Sequence, residues 1–424
     1  MTSSPAAAGL AVRTRPVAVD SLPELTSLLP AESGVSWVRR GAGLVGWGVA
    51  AQVRTGGPTR FADAAKWWAE LVARAEIVDE VDEPGSGLVA FGSFAFADGG
   101  ASGGGSVLTV PRMVVGRRGG TAWVTTIGAA GDTEPVPELV PEILPAPSPA
   151  APRDVVFSDG ALDGETWMSR VAEAITRINR GDLEKVVLAR DLVATASTPI
   201  DVRWPLQRLA ASYPMCWTFH VDGLFGATPE LLVRRERGLV TSRVLAGTIR
   251  RTGDDEHDLA LAATLARSSK DLEEHEYAVR SVADALEPHC SSMNVPESPF
   301  VLHLPNVMHL ATDVTGVARD DVTSLGLAEA LHPSAAVGGT PRPDAVALIA
   351  ELEGMDRGRY AGPVGWLDAS GDGEWGIALR SASLDGRTVR LYAGCGVVGS
   401  SDPAAELAES QAKLVPVRDA LGPR

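Results

Sequence analysis

The sequence predicts an α+β fold: a single large domain in which antiparallel β-sheets are flanked by helices. Short apolar strands recur in consecutive pairs, as hairpins do, and several longer segments with helical periodicity interrupt them. No G-x-x-x-x-G-K-[ST] run occurs, so a phosphate-cradling loop of the P-loop type is excluded. The 424 residues are 45% hydrophobic and 22% charged, which supplies a sizeable core and excludes disordered, collagen-like and coiled-coil classes. A net charge of −16 repels phosphate backbones, so no nucleic-acid partner is expected. Three scattered cysteines, Cys216, Cys290 and Cys395, fit a reducing cytoplasm better than a disulfide scaffold. Met1-Thr2-Ser3-Ser4-Pro5 does not open a secretory signal, and no apolar run approaches the ~20 residues that span a bilayer. A cytoplasmic protein without membrane insertion is therefore expected.

Taken in order, residues 1–25 are rich in Ala, Ser and Pro and read as a flexible N-terminus. Residues 26–153 read as a strand-rich N-terminal part. Val35–Val38 and Leu44–Val49 form strands, Trp67, Leu71, Val72 and Ala75 keep helical spacing, and Gly87–Phe96 returns to strand. Five glycines between Gly99 and Gly105 mark a loop tip. This part ends at Glu134–Arg153, where seven prolines in twenty residues exclude helix and central strand and predict a surface crossover within one fold. Residues 154–420 carry the sharper pattern. Trp167, Val171, Ala174, Ile175 and Ile178 define a helix closed by Gly181, and Lys185–Arg190 is a buried strand with a lysine at its entry. Strands follow at Cys216–Val221, Leu231–Arg235 and Leu239–Leu245, then one long helical region over Glu256–Leu286. Strands at Val364–Leu367, Trp375–Ala382 and Val389–Tyr392 precede a last helix opened by Asp402 as N-cap and Pro403 at its first position.

The last helix places Glu406, Glu409 and Lys413 on one face. Two carboxylates one turn apart can offer hard oxygens to Mg²⁺, and the same spacing also describes a solvated stripe with a Glu409–Lys413 ion pair. Asp271 and Glu274 repeat the arrangement beside Lys270, with the same two readings. Glycines between Tyr392 and Gly399, just before a helix start, can converge amides on an anion or simply make a tight turn. Ala246-Gly247-Thr248 and Gly338-Gly339-Thr340-Pro341 are two further small-residue turns, and Arg380, on the Trp375–Ala382 strand, can fork onto a carboxylate or serve a structural ion pair. Lys185 and Glu230 each stand at the mouth of an apolar strand, where desolvation would suit a lysine to act as base and a carboxyl to act as acid. A paired or snorkelling charge would occupy the same positions.

Together these segments resemble the chorismate-utilising enzyme family, which comprises isochorismate synthases, salicylate synthases and the large subunits of anthranilate and aminodeoxychorismate synthases. The matching text is Glu184-Lys185-Val186-Val187-Leu188-Ala189-Arg190, Thr228-Pro229-Glu230-Leu231-Leu232, Leu245-Ala246-Gly247-Thr248 and Lys270-Asp271-Leu272-Glu273-Glu274-His275. It continues through His309-Leu310-Ala311-Thr312, His332-Pro333 to Thr340-Pro341, Tyr360-Ala361-Gly362-Pro363, Ala393-Gly394-Cys395-Gly396 and Glu406-Leu407-Ala408-Glu409 with Lys413. These blocks cover roughly residues 160–415 in the family's order, whereas the N-terminal third is similar only loosely, through its strand-rich pattern and Phe91-Gly92-Ser93-Phe94-Ala95-Phe96. One departure is Ser334, where threonine is usual and a hydroxyl is kept.

The resemblance implies the family's α+β fold and a Mg²⁺-dependent enzyme acting on chorismate. It implies Glu274 and Glu409 as direct metal ligands, with Asp271 and Glu406 as outer-shell supports. Mg²⁺ and the turn Ala246, Gly247, Thr248 would hold the ring carboxylate. Thr340, Tyr360, Arg380, Gly394, Gly396 and Lys413 would complete the substrate site, with His309 near the ring. Lys185 would be the general base that activates water and Glu230 the general acid; ammonia-using relatives typically carry glutamine where Lys185 stands. The expected activity is that of an isochorismate synthase of menaquinone or siderophore biosynthesis, acting as a monomer. Salicylate synthase is the first alternative, ahead of an anthranilate or aminodeoxychorismate synthase component or an inactive chorismate-binding protein.

Overall fold

A computed structural model describes residues 9–99, 105–130, 145–303 and 307–422, apart from the side chains of Thr248, Lys270 and Glu274. Most of the expected glycine loop tip and residues 134–144 of the Pro-rich crossover lie outside the described residues. In chain order the first elements are β1 (Leu10–Val17), β2 (Gly34–Arg39), β3 (Ala42–Trp47), β4 (Ala51–Thr55), α1 (Arg60–Val72), β5 (Glu76–Asp79), β6 (Val89–Ser93), β7 (Ser106–Val110), β8 (Met113–Arg118) and β9 (Thr121–Ala129). Next come β10 (Val156–Asp159), α2 (Gly164–Arg180), β11 (Lys185–Thr195), α3 (Arg203–Ser212), β12 (Trp217–Val221), β13 (Leu224–Thr228), β14 (Leu231–Glu236) and β15 (Leu239–Arg250). They are followed by α4 (Asp255–Leu265), α5 (Ser269–Leu286), β16 (Cys290–Asn294), β17 (Phe300–His303), β18 (Val307–Ala318), α6 (Ser324–Leu331), β19 (Gly339–Thr340) and α7 (Arg342–Leu352). The chain closes with β20 (Pro363–Asp368), β21 (Gly373–Ile377), β22 (Ser381–Asp385), β23 (Thr388–Val397) and α8 (Pro403–Leu421).

Two sheets organise the fold, one of thirteen strands and one of ten among the described residues. The larger runs β10-β11-β23-β22-β13-β12-β2-β3-β8-β9-β1-β5, with β19 beside β11; the smaller runs β16-β18-β15-β14-β21-β20-β6-β7-β4, with β17 beside β18. Their pairings are antiparallel, as the hairpin pattern predicts, apart from the parallel pair of β1 with β5. Both sheets join the N-terminal and C-terminal parts of the chain, through β2 with β12 in one and β6 with β20 in the other. Strand alternation builds the layers. Val35, Trp37 and Leu44 enter a core shared with Phe91, Trp366 and Phe219 between the sheets, while Val38 and Val45 face the opposite way into a layer closed by α3 and α8.

Local chemistry explains the helix ends. Asp163 caps α2 through Thr166 N, and Gly181 ends it in the left-handed conformation at φ 89°. Asp402 caps α8 through Ala405 N, with Pro403 at its first position.

Four expectations are corrected. Leu10–Val17, inside the segment read as flexible, is a strand paired along its length with β9. The single long helix over 256–286 is two helices, because the Ser268 side chain accepts from Asp271 N and starts α5 afresh. The strand over Trp375–Ala382 is broken into β21 and β22, and Arg380 lies between them at φ 49° while the chain crosses from the smaller sheet to the larger. Finally, Gly394 and Gly396 are not in an open turn before α8. They are ladder residues of β23, opposite Ala189 and Val187 of β11. The run Gly394-Cys395-Gly396-Val397-Val398-Gly399 spells a G-x-G-x-x-G pattern, but it sits largely in an antiparallel ladder rather than a βα turn.

Candidate active site

The Lys185 side of the site grows from the β11–β23 ladder. Lys185 is the first residue of β11, and β19 brings Thr340 directly opposite it. A Cβ placed on Gly396 would stand 3.1 Å from Lys185 Cε and 3.6 Å from its Nζ. Glycine there leaves the space that the lysine stem occupies. A Cβ on Gly394 would likewise lie 3.2 Å from the Tyr360 hydroxyl. Tyr360 is buried, stacks on Tyr392 at 5.0 Å, and burial raises its phenol above the ordinary tyrosine range.

Glu230 follows β13 and is 9% exposed. Its backbone is locked: Glu230 N donates to Thr228 Oγ1 at 3.2 Å, and Ile377 N donates to Glu230 O at 3.1 Å. Burial pushes its carboxyl up to about 7, against the pull of Arg380, Lys185 and Lys413. His309, on β18, is held neutral because burial pushes it down to about 4, with Arg380 and Lys413 acting in the same sense. The Gly247 backbone and the Glu409 charge pull His309 the other way. Arg380 and Lys413 thus act on both Glu230 and His309, and with Lys185 and the Gly247 backbone, residues from six separate segments share one electrostatic neighbourhood.

Gly247 shapes the facing wall. The β15–β18 register shifts there, so that Ala246 pairs with Leu310 and Thr248 with His309, leaving Gly247 bulged at φ 72°. A Cβ on Gly247 would meet Asp271 Oδ1 of α5 at 3.3 Å, so the bulge and this carboxylate are in direct apposition. The predicted side-chain positions of Thr248 and Glu274 fall outside the described residues.

On α8, Lys413 Nζ donates to Gly394 O at 2.9 Å and pairs with Glu409 Oε1 at 2.6 Å, joining the helix to the glycine ladder. Cys395 Sγ and single carboxylate oxygens of Glu406 and Glu409 lie within 4.8 Å of one another. The thiol is pushed up to about 12 by burial and donates to Glu406 O at 3.2 Å, which sets it apart from the two carboxylates. What remains is a pair of hard carboxylate donors, a set that fits Mg²⁺ rather than a soft metal. Sequence reasoning missed Cys395 here. Alternation along β23 was the available clue, since a residue between Gly394 and Gly396 must face away from them, toward α8.

Fold and site together define a two-sheet α+β scaffold in which buried and half-buried ionisable side chains converge beside a glycine-lined ladder. Residues 29–422 match the chorismate binding enzyme family, and the chain belongs to that family. It is 35% identical over 322 residues to the isochorismate synthase MenF of Bacillus subtilis, a match covering 75% of this chain and 66% of that protein. The isochorismate synthase EntC of Escherichia coli K12 is 38% identical over 274 residues, covering 63% of this chain and 70% of that protein. Among solved structures, the menaquinone-specific isochorismate synthase MenF of Escherichia coli superposes with a TM-score of 0.80 at 26% identity, over 98% of this chain and 95% of that one. Anthranilate synthase component I of Streptococcus pneumoniae shares the fold, with a TM-score of 0.72 at 20% identity over 91% of this chain and 92% of that one. No helix among the described residues is long and apolar enough to cross a membrane.

Proposed function

We propose that the protein is an isochorismate synthase, converting chorismate to isochorismate by adding water at C2 with loss of the C4 hydroxyl. The observation that carries this reading is Lys185, at the entry of β11, whose charge acts on a buried Glu230 that keeps its proton to about pH 7. Lys185 takes the proton of the attacking water, and Glu230 gives a proton to the departing C4 oxygen as the ring double bonds shift. Arg380 and Lys413 attract the carboxylates of the substrate, and they must do so locally because a chain of net charge −16 repels a dianion at long range. Tyr360 and the Gly394–Gly396 ladder leave room for the enolpyruvyl arm, while neutral His309 and Thr340 border the ring. Glu409 and Glu274 would hold Mg²⁺, supported by Asp271 and Glu406. When bound, the ion supplies positive charge for the ring carboxylate beside the Ala246-Gly247-Thr248 turn.

The test is incubation of the purified protein with chorismate and Mg²⁺, resolving products by chromatography with and without an ammonium salt. Isochorismate as the sole product, indifferent to ammonium, is the expected result. Salicylate with an equivalent of pyruvate would move the chain to the lyase branch, and an aminated product formed only with ammonium would overturn the role of Lys185.

A further inference from the structure

The strand that carries Lys185 has a gap along one edge. β23 pairs with β11 continuously from Val186 to Thr195. On the other edge, β19 covers only Lys185 and Val186, and β10 begins only at Leu192. Val187 N is served by Gly338 O at 2.8 Å. Val187 O and Ala189 N point to the same open edge, as alternate groups of a strand do, and no strand among the described residues meets them.

Two charged side chains from the end of α7 and the turn after it fill this gap. Arg357 Nη2 donates to Val187 O at 2.7 Å, and Ala189 N donates to Glu353 Oε1 at 2.6 Å. Glu353 and Arg357 are themselves joined, with Arg357 Nε donating to Glu353 Oε2 at 2.9 Å. Arg357 Nη1 reaches Val337 O at 2.8 Å, and the Phe96 ring covers the guanidinium at 4.2 Å. The two side chains are 1% and 2% exposed, so this is a fully desolvated ion pair.

We propose that Glu353 and Arg357 are positioning residues for the base, acting as a substitute strand that fixes Lys185 against its surroundings; this rests on the reading of Lys185 as base. The pair presents one acceptor and one donor at the spacing the strand edge demands. Its remaining contacts go to segments that carry other site residues. Val337 belongs to the turn leading to Thr340, and Tyr360 N donates to Arg357 O at 3.0 Å. A buried ion pair is weak evidence of a purely stabilising role, because well-packed apolar residues of similar volume often stabilise as well or better. Apolar residues cannot bond to Val187 O and Ala189 N, and that difference separates positioning from packing.

The experiment compares the double variant Glu353→Met with Arg357→Met against the unaltered chain, in both the Lys185 and the Lys185→Ala backgrounds. With Lys185 present, the double variant is expected to fold, by circular dichroism and thermal melting, and to lose about 100-fold in kcat, the scale of an ångström-sized misplacement. KM for chorismate should change little. In the Lys185→Ala background the same pair of substitutions should cost less than about threefold more, because the group it positions is already gone. Undiminished kcat in the double variant, or equal losses in both backgrounds, would overturn the positioning role while leaving the base assignment intact. Full activity of Lys185→Ala alone would instead remove the base assignment, and the proposal with it. If the double variant does not fold, Arg357→Lys decides the matter. It keeps the charge beside Glu353, yet one ammonium cannot replace the fork onto Val187 O and Val337 O. It should show the same fall in kcat at constant KM, and unchanged kcat there would overturn the proposal.

Discussion

Glu230 and Glu409 are carboxylates of the proposed site, yet the first is 9% exposed and the side chain of the second is 50% exposed beside Lys413. Around Glu230 the sheets exclude water, so the cost of the charged form sets its proton affinity and leaves it able to donate near neutrality. Glu409 faces solvent one turn from Glu406, and in the proposed reading this solvated pair would suit a hydrated cation that keeps some of its own waters. On the proposed reading, the acid–base side would act through desolvation and backbone locking, and the cation side through convergence of solvated charges. Substitutions on the two sides should differ in kind: the first should change proton chemistry, the second the demand for metal.

The largest effect is expected from Lys185→Ala, which removes the base and should lower kcat by about 10⁴-fold, the upper end of the range for a positioned proton-transfer group. Chorismate binding, measured by calorimetry, should persist. Glu230→Gln follows, with a loss of about 10³-fold and a diagnostic change in pH profile. The native carboxyl titrates at about 7 against an ordinary value of 4.5, so the acid is competent below pH 7 and activity should fall as pH rises through it. That alkaline limb should vanish in the residual activity of Glu230→Gln. The same shift has a stability consequence. Between pH 4.5 and 7 the native state holds a proton that the unfolded chain has released, so this group's contribution falls as pH rises across that window and is level outside it. Chemical denaturation at pH 5 and pH 8 should show that difference shrink in Glu230→Gln. On the cation side, Glu409→Gln should raise the Mg²⁺ concentration for half-maximal activity by about 100-fold or more, since a direct ligand should match or exceed the ~10–100-fold span of outer-shell partners. A wild-type Mg²⁺ titration would remove Glu409 from the metal site.

The same division governs what could be read from the sequence. The helix closed by Gly181 and the one opened by Asp402 and Pro403 were legible because capping is local chemistry between residues a turn apart. The Glu406–Glu409 pair was legible for the same reason. The sequence places Arg380 in a continuous strand because the apolar run Trp375–Leu379 leads straight into it; the break arises from a tertiary demand, the passage of the chain from one sheet to the other. The split between α4 and α5 was local, written in Ser268, but the surrounding helical periodicity hid it. Gly394 and Gly396 were recognised as special but for the wrong geometry, since their partners, Ala189 and Val187, are some two hundred positions earlier in the chain. Glu353 and Arg357 were invisible altogether. They look like an ordinary i, i+4 pair, and only the missing strand beside β11 gives them their meaning.

The smallest expected effect tests that glycine ladder. Gly396 has an extended backbone that alanine can adopt, so Gly396→Ala should not weaken the strand and, by restricting the unfolded chain, should leave the melting temperature unchanged or slightly higher. The added methyl would stand 3.1 Å from Lys185 Cε, a contact tight enough to push the stem aside by a few tenths of an ångström. Because Lys185 is flexible toward its end, the amine should be displaced rather than expelled, and kcat should fall by about tenfold, well short of the loss for a full ångström. KM for chorismate and the Mg²⁺ titration should both stay near their original values, since neither Glu409 nor Arg380 meets the new methyl. A fall in kcat without loss of stability would locate the role of Gly396 in the space it leaves for the base. If stability fell in step with activity, the glycine would instead be serving the ladder itself.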